Sequence, residues 1–173
     1  PVLLALNASI VLDNGKQFRT LPLNTFFVDY KQTQLAQNEW VHAITVPLPL
    51  PNQIIKAYKI SKRMEDDISA VCMAVSITLE NGIVSEIRTG FGGVAATPAR
   101  CETLEQAILG KTWQHDSIVS LGQEALKMAF SPIDDVRASA AYRMQMLQNL
   151  WYRFWLETNS QETAIPTRVI DHA

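Results

Sequence analysis

Lys59-Ile60-Ser61-Lys62-Arg63-Met64-Glu65-Asp66-Asp67-Ile68-Ser69-Ala70-Val71 packs three cations and three anions between two apolar runs. Upstream, Ala57-Tyr58-Lys59-Ile60-Ser61 alternates with the period of a half-buried strand. Downstream, Val71-Cys72-Met73-Ala74-Val75-Ser76-Ile77-Thr78-Leu79 alternates again, so the charged block must connect two strands. Glu80-Asn81-Gly82-Ile83 is a tight-turn signature leading into a third run over 84–91. Three strands are enough for an independent small sheet, provided its apolar face (Val71, Met73, Val75, Ile77, Leu79) is covered. The charged loop itself allows two readings. Its opposite charges can neutralise one another as solvated pairs, each worth about 0–1 kcal/mol. Alternatively, a cation at the strand end meets an anionic ligand while the carboxylates face a cleft, as loops on rigid scaffolds often do.

The cover comes after residue 96. Thr97-Pro98 predicts a helix start, with threonine as cap and proline at the first helical position. Leu104, Ala107 and Ile108 give that helix an apolar stripe, and Gly110 can end it. Asp116 or Ser117 caps a second helix carrying Ile118, Leu121, Ala125, Leu126 and Ala129, which stops at Ser131-Pro132. Asp134 or Asp135 precedes a long helix over about 136–157, whose Met144, Leu147, Leu150, Trp151, Phe154 and Trp155 form a broad stripe that reads as core.

Before the loop, residues 1–23 read as two strands joined at Asn14-Gly15, which supplies two positive-φ positions. The first strand starts without a polar lead-in, as though cut from a longer sheet, and the chain reads as a fragment. Residues 25–31 are aromatic, 35–39 a polar loop, and 40–46 a strand stopped by Pro47-Leu48-Pro49-Leu50-Pro51. Repeated prolines cannot donate to a ladder, which places a boundary there: 1–50 as one unit, 51–160 as a second and 161–173 as a tail.

Composition narrows the function. The chain has 173 residues, 47% of them hydrophobic, and a net charge of -2, so a basic face for nucleic acid or an anionic membrane is not expected. Cys72 and Cys101 form no disulfide framework and suit a reducing compartment. No apolar run is long enough to span a bilayer and no signal peptide is evident, which predicts a cytoplasmic protein. His42, His115 and His172 lack metal-ligand spacing. Gly90-Phe91-Gly92-Gly93 follows a strand but lacks the Rossmann or P-loop pattern. Asp135-Val136-Arg137 with Tyr142-Arg143 reads as a capping and ion-pair arrangement that docks the long helix on the sheet.

Taken together and in order, residues 58–63, Glu65-Asp66-Asp67-Ile68, Gly92-Gly93-Val94-Ala95, Thr97-Pro98-Ala99-Arg100 and 135–143 resemble the FAD-binding part of the molybdenum hydroxylases. The likeness is greatest to the xanthine dehydrogenase type, with the carbon monoxide dehydrogenase flavoprotein C-terminal domain as the second half. The resemblance implies that Lys59 lies beside the flavin ring, that Val41 packs on or near the isoalloxazine, that Glu39 falls near the same edge, and that Asp66 belongs to a loop where nicotinamide approaches. An ammonium near the ring stabilises the negative charge of reduction, and an apolar residue excludes water from it. The resemblance also implies NAD as electron acceptor, and molybdopterin and iron-sulfur clusters on a molybdenum-binding subunit and an iron-sulfur domain. Two departures stand out: Met64 occupies a position where relatives often carry a second basic residue, and the segments that grip the FAD pyrophosphate and adenine in this family would lie upstream of Pro1.

The expected fold is α+β: the remnant of a flavin-binding α/β subdomain followed by a three-stranded antiparallel sheet packed against three helices. The expected function is electron transfer from iron-sulfur clusters through FAD to NAD during purine oxidation. Two rivals stand beside it, a flavin subunit for another substrate (carbon monoxide, an aldehyde or an aromatic thioester) and a non-catalytic module that docks a partner subunit.

Overall fold

The computed structural model describes residues 1–63 and 66–159; the predicted tail and Met64 lie outside them. The central sheet consists of β6 (Gln53–Ile60), β7 (Val71–Glu80) and β8 (Ile83–Gly92), antiparallel in that order. The β7–β8 turn has Asn81 at φ 52° and Gly82 at φ 77°, the two left-handed residues that a two-residue hairpin turn requires. Val71, Met73, Val75 and Ile77 are buried on one face of β7. Three helices cover that face: α3 (Glu102–Ile108), α4 (Ser117–Ala129) and α5 (Ala140–Asn159). Trp113, Trp151 and Phe154 meet edge-on or tilted within the same core, so the aromatic stripe is packing, as expected. Among the described residues, no helix is long and apolar enough to cross a membrane.

A smaller layer precedes this sheet. One helical turn, α1 (Val2–Ala5), is followed by the hairpin β1 (Ser9–Asp13) and β2 (Phe18–Pro22), a second turn α2 (Leu23–Phe26), the short ribbon β3 (Phe27–Asp29) and β4 (Gln32–Thr33), and β5 (Trp40–Thr45). The strand order is β2-β1-β5, antiparallel throughout. Leu4, Ala8, Ile10, Leu12, Leu23 and Phe26 form its core. α1 lies against β7 and β8 on the face away from the three helices, and a Cβ on Gly90 would sit 2.0 Å from the Pro1 carbonyl oxygen. Glycine is required there by close approach.

Four boundaries differ from the sequence reading, one of them the long helix, which starts at Ala140 and not near 136. Residues 2–5 form a helical turn rather than strand, because Leu4 and Ala5 both bury. The first hairpin turns through four residues with only Gly15 at positive φ, while the Asn14 side chain accepts the Lys16 and Gln17 amides. The first covering helix starts at Glu102, not at Pro98: Ala99 stays extended and exchanges both backbone bonds with Phe91, at 2.7 and 3.1 Å.

Candidate functional site

β5 is an edge strand, and Val41 stands directly across from Leu12 of β1. Leu12 is fully buried, whereas Val41 is 45% exposed, since the strand has a neighbour on one side only. An apolar shelf bordering the smaller core is therefore open. The turn into β5 is fixed by Glu39. Arg19 donates from Nε to Oε1 and from Nη2 to Oε2, both at 2.7 Å, and the Ala36 amide donates to Oε2 at 2.7 Å. These bonds, the guanidinium first, lower the Glu39 carboxyl from 4.5 to about 2. Glu39 thus anchors the residues leading into the strand that carries Val41.

Lys59 lies on β6, the edge strand of the central sheet, opposite Cys72. Its neighbour Tyr58 is buried on the helical side and donates to Glu157 of α5 at 2.8 Å, so alternation puts Lys59 on the opposite, α1-bearing face. Lys59 is exposed, and among the described residues its ammonium has no carboxylate partner. Burial raises the thiol pKa of Cys72, with Lys59 pulling the other way.

The neutralisation reading of the charged loop holds for Asp67. Asp67 is consumed internally: it accepts the Arg63 and Ile68 amides, each at 2.9 Å, and pairs with the Arg63 guanidinium at 3.5 Å. The Arg63 amide is the first cause of its lowered pKa. Asp66 is exposed in the left-handed conformation at φ 48°, and its carboxylate makes no hydrogen bond among the described residues. Val41 therefore stands on the smaller sheet with Glu39 in the turn before it, and Lys59 and Asp66 on the edge strand and loop of the central one.

Arg143 was legible as a docking residue, but not in its reach. Its side chain is 3% exposed. Nη1 donates to the Ala70 carbonyl at 2.6 Å and to Gly93 at 2.8 Å, and Nη2 to Asp135 Oδ1 at 2.5 Å. Asp135 also accepts the Arg137 and Ala138 amides, and its carboxyl falls from 3.8 to about 2, with the Arg137 amide as the largest cause. Two cavities lie against the residues that this arginine holds, Gly93 and Asp135 at one and Ala70 at the other. One, of about 390 Å³, is bounded by Tyr30, Gly93, Val94, Ser131, Ile133 and Arg137. The other, of about 420 Å³, is bounded by Ser61, Lys62, Ala70, Arg137, Ser139 and Tyr142.

Comparison with known proteins gives a consistent pattern. Residues 56–158 match the CO dehydrogenase flavoprotein C-terminal domain, and residues 1–49 match the FAD binding domain in molybdopterin dehydrogenase. A nicotinate hydroxylase of Emericella nidulans is 30% identical over 93% of the chain, which covers 12% of that protein. The xanthine dehydrogenase FAD-binding subunit of Escherichia coli O157:H7 is 27% identical over 83% of the chain, covering 49% of the subunit. The carbon monoxide dehydrogenase from Hydrogenophaga pseudoflava superposes with a TM-score of 0.81 at 29% identity, over 87% of this chain and 52% of that one. The chain thus spans half or less of the curated relatives it matches.

Proposed function

Because the chain belongs to the family of the CO dehydrogenase flavoprotein C-terminal domain, we propose that it is the ring-side half of the FAD-binding unit of a xanthine dehydrogenase-like molybdenum hydroxylase. In this reading residues 1–50 end the FAD-binding subdomain and 51–160 form the second domain. The exposed groups fit the ring end of the cofactor: an aromatic ring that becomes anionic on reduction wants an apolar surface and a nearby cation. Val41 offers the first and Lys59 the second. The observation that carries the reading is Lys59, an exposed ammonium with no internal counter-charge among the described residues.

Bound there, FAD would take electrons delivered through iron-sulfur clusters from a purine oxidised at a molybdopterin centre and release them as hydride to NAD. Lys59 supplies positive charge at the ring edge. Val41 excludes water from one ring face. Glu39, held ionised by Arg19, fixes the turn that presents Val41. Asp66 stands in the loop that the acceptor passes, and its carboxylate influences the entry of an anionic dinucleotide. The proposed partners are the molybdenum-binding subunit and the iron-sulfur domain of a cytoplasmic enzyme.

A second reading differs in the organic substrate alone. The nicotinate hydroxylase, 30% identical over 93% of the chain, is at least as similar to it as the xanthine enzymes, which favours a flavin unit serving another substrate. Steady-state oxidation of hypoxanthine and of nicotinate by the intact enzyme, with NAD as acceptor, separates the two. Turnover of the purine is expected; turnover of nicotinate alone would move the assignment to the second reading.

A further inference from the structure

β5 carries one residue more than the strand it pairs with. From Ile10 to Asp13, β1 takes three residue steps; between their partners Ile44 and Trp40, β5 takes four. Ala43 pairs with Val11 and Val41 with Leu12, so His42 has no partner, the two-against-one arrangement of a β-bulge. Directly opposed residues share a face of the sheet. Val41 therefore lies on the Leu12 face, that of the smaller core, while Ala43 lies on the Val11 face. His42 joins Ala43 there. Its ring meets Phe18 edge-on with centroids 4.9 Å apart, and its Nδ1 is 3.8 Å from Oδ2 of Asp13, the partner of Phe18 on β1.

The bulge is imposed from both sides. On its C-terminal side Ile44 stands across from Ile10, which is buried in the smaller core. On its N-terminal side Arg19, whose partner on β1 is Leu12, grips Glu39 through two 2.7 Å bonds. Closing the mismatch by slipping the first half of β5 would carry Glu39 along from Arg19 and turn Val41 to the opposite face; slipping the second half would turn Ile44 out of the core. A bulge bends its strand, increases the local twist and so re-aims the side chains beside it. Because β5 has a neighbour on one side only among the described residues, no second strand opposes the bend. We propose that the bulge at His42 is a positioning device for Val41. The extra residue bends the edge strand so that the Val41 side chain meets the cofactor ring, and His42 acts through that bend rather than by contact. This role rests on the flavoprotein reading above, in which Val41 packs on the ring.

The test uses the intact flavoprotein, two single-residue deletions and one substitution. Deleting His42 closes the bulge with Ala43 still across from Val11; deleting Ala43 closes it with His42 in that place. Either deletion keeps Val41 across from Leu12 and leaves both anchors intact, whereas His42→Ala keeps the extra residue. FAD affinity by titration, visible absorption and circular dichroism of the bound flavin, oligomeric state and unfolding temperature are measured. Both deletions are expected to fold, to weaken FAD binding by roughly 5- to 50-fold, the range set by the burial of one valine-sized side chain, and to alter the flavin dichroism. His42→Ala is expected to fall between them and the parent, nearer the parent. A bulge that only protects a sheet edge from self-pairing would give deletions that self-associate while binding FAD with the parent's affinity and dichroism, which overturns the role. A His42→Ala loss equal to that of the deletions assigns the effect to the imidazole and overturns it too. If the His42 deletion does not fold, the Ala43 deletion decides by the same criteria; if neither folds, the extra residue serves the fold itself and the role fails. A parent that binds no FAD overturns the underlying reading and this role with it, whereas a parent that binds FAD and deletions that match it overturn the role alone.

Discussion

Replacing Glu105 by leucine should be among the most damaging single changes in the central fold. Glu105 is 7% exposed on α3. Its Oε1 accepts the Thr89 amide at 2.8 Å, the Thr89 hydroxyl at 2.7 Å and Arg100 Nε at 3.1 Å, while Oε2 accepts Arg100 Nη2. The Thr89 hydroxyl in turn accepts the Cys101 amide at 3.0 Å, so one carboxylate ties β8 to the start of α3. Leucine would strand a buried amide, a hydroxyl and a largely buried guanidinium. Breaking such a pair from one side costs about 3–5 kcal/mol. At roughly 2–4 °C per kcal/mol for a domain of this size, the unfolding midpoint should fall by about 6–20 °C. Glu105→Gln keeps an acceptor for Thr89 and should cost about 1–3 kcal/mol. The reasoning attributes the damage to the stranded partners. The double variant Arg100→Met with Glu105→Leu should therefore be less destabilised than the sum of the singles, by roughly 1–3 kcal/mol. Urea unfolding followed by circular dichroism measures the parent and all four variants; a Glu105→Leu loss under about 1 kcal/mol, or a strictly additive cycle, would refute it.

Gly122→Ala would place a methyl 2.1 Å from Trp151 Nε1, against the indole whose N–H donates to the Ile118 carbonyl at 3.2 Å; a cost of about 1–3 kcal/mol is expected in the same unfolding assay. The Glu39 carboxyl is held below its unfolded value, so its contribution is present above that value and is lost as pH falls from 4.5 toward about 2. Glu39→Gln should therefore flatten this part of the acid limb of a Tm-against-pH profile, and an unchanged limb would contradict the Arg19 pairing. Lys59→Met should lower the two-electron midpoint potential of the bound flavin by roughly 30–60 mV, from about 1.5–3 kcal/mol for a charge-assisted contact, read by spectroelectrochemical titration.

Local pattern was enough for the central sheet, because alternation and the Asn81-Gly82 turn are properties of a few adjacent residues. It failed where distant partners compete. Thr97-Pro98 carries a good helix-start signal, yet Ala99 pairs with Phe91 and Arg100 reaches Glu105, so the helix waits for Glu102. Asp134 and Asp135 cap the turn before α5, accepting the Ala140, Arg137 and Ala138 amides, and the helix starts at Ala140 rather than near 136. The candidate site was legible as residue types only. That Glu39 is neutralised by Arg19, 20 residues earlier, and that Arg143 collects three loops are facts of tertiary geometry, with no periodic trace in the chain.

The central claim is that this chain frames a flavin. The most direct test is the visible absorbance and FAD titration of the intact protein that contains it, beside the same protein carrying Val41→Asp and Lys59→Met together. The account predicts stoichiometric FAD in the parent, with weakened binding or a perturbed flavin spectrum in the variant. A parent that carries no FAD and takes up none on titration would contradict it.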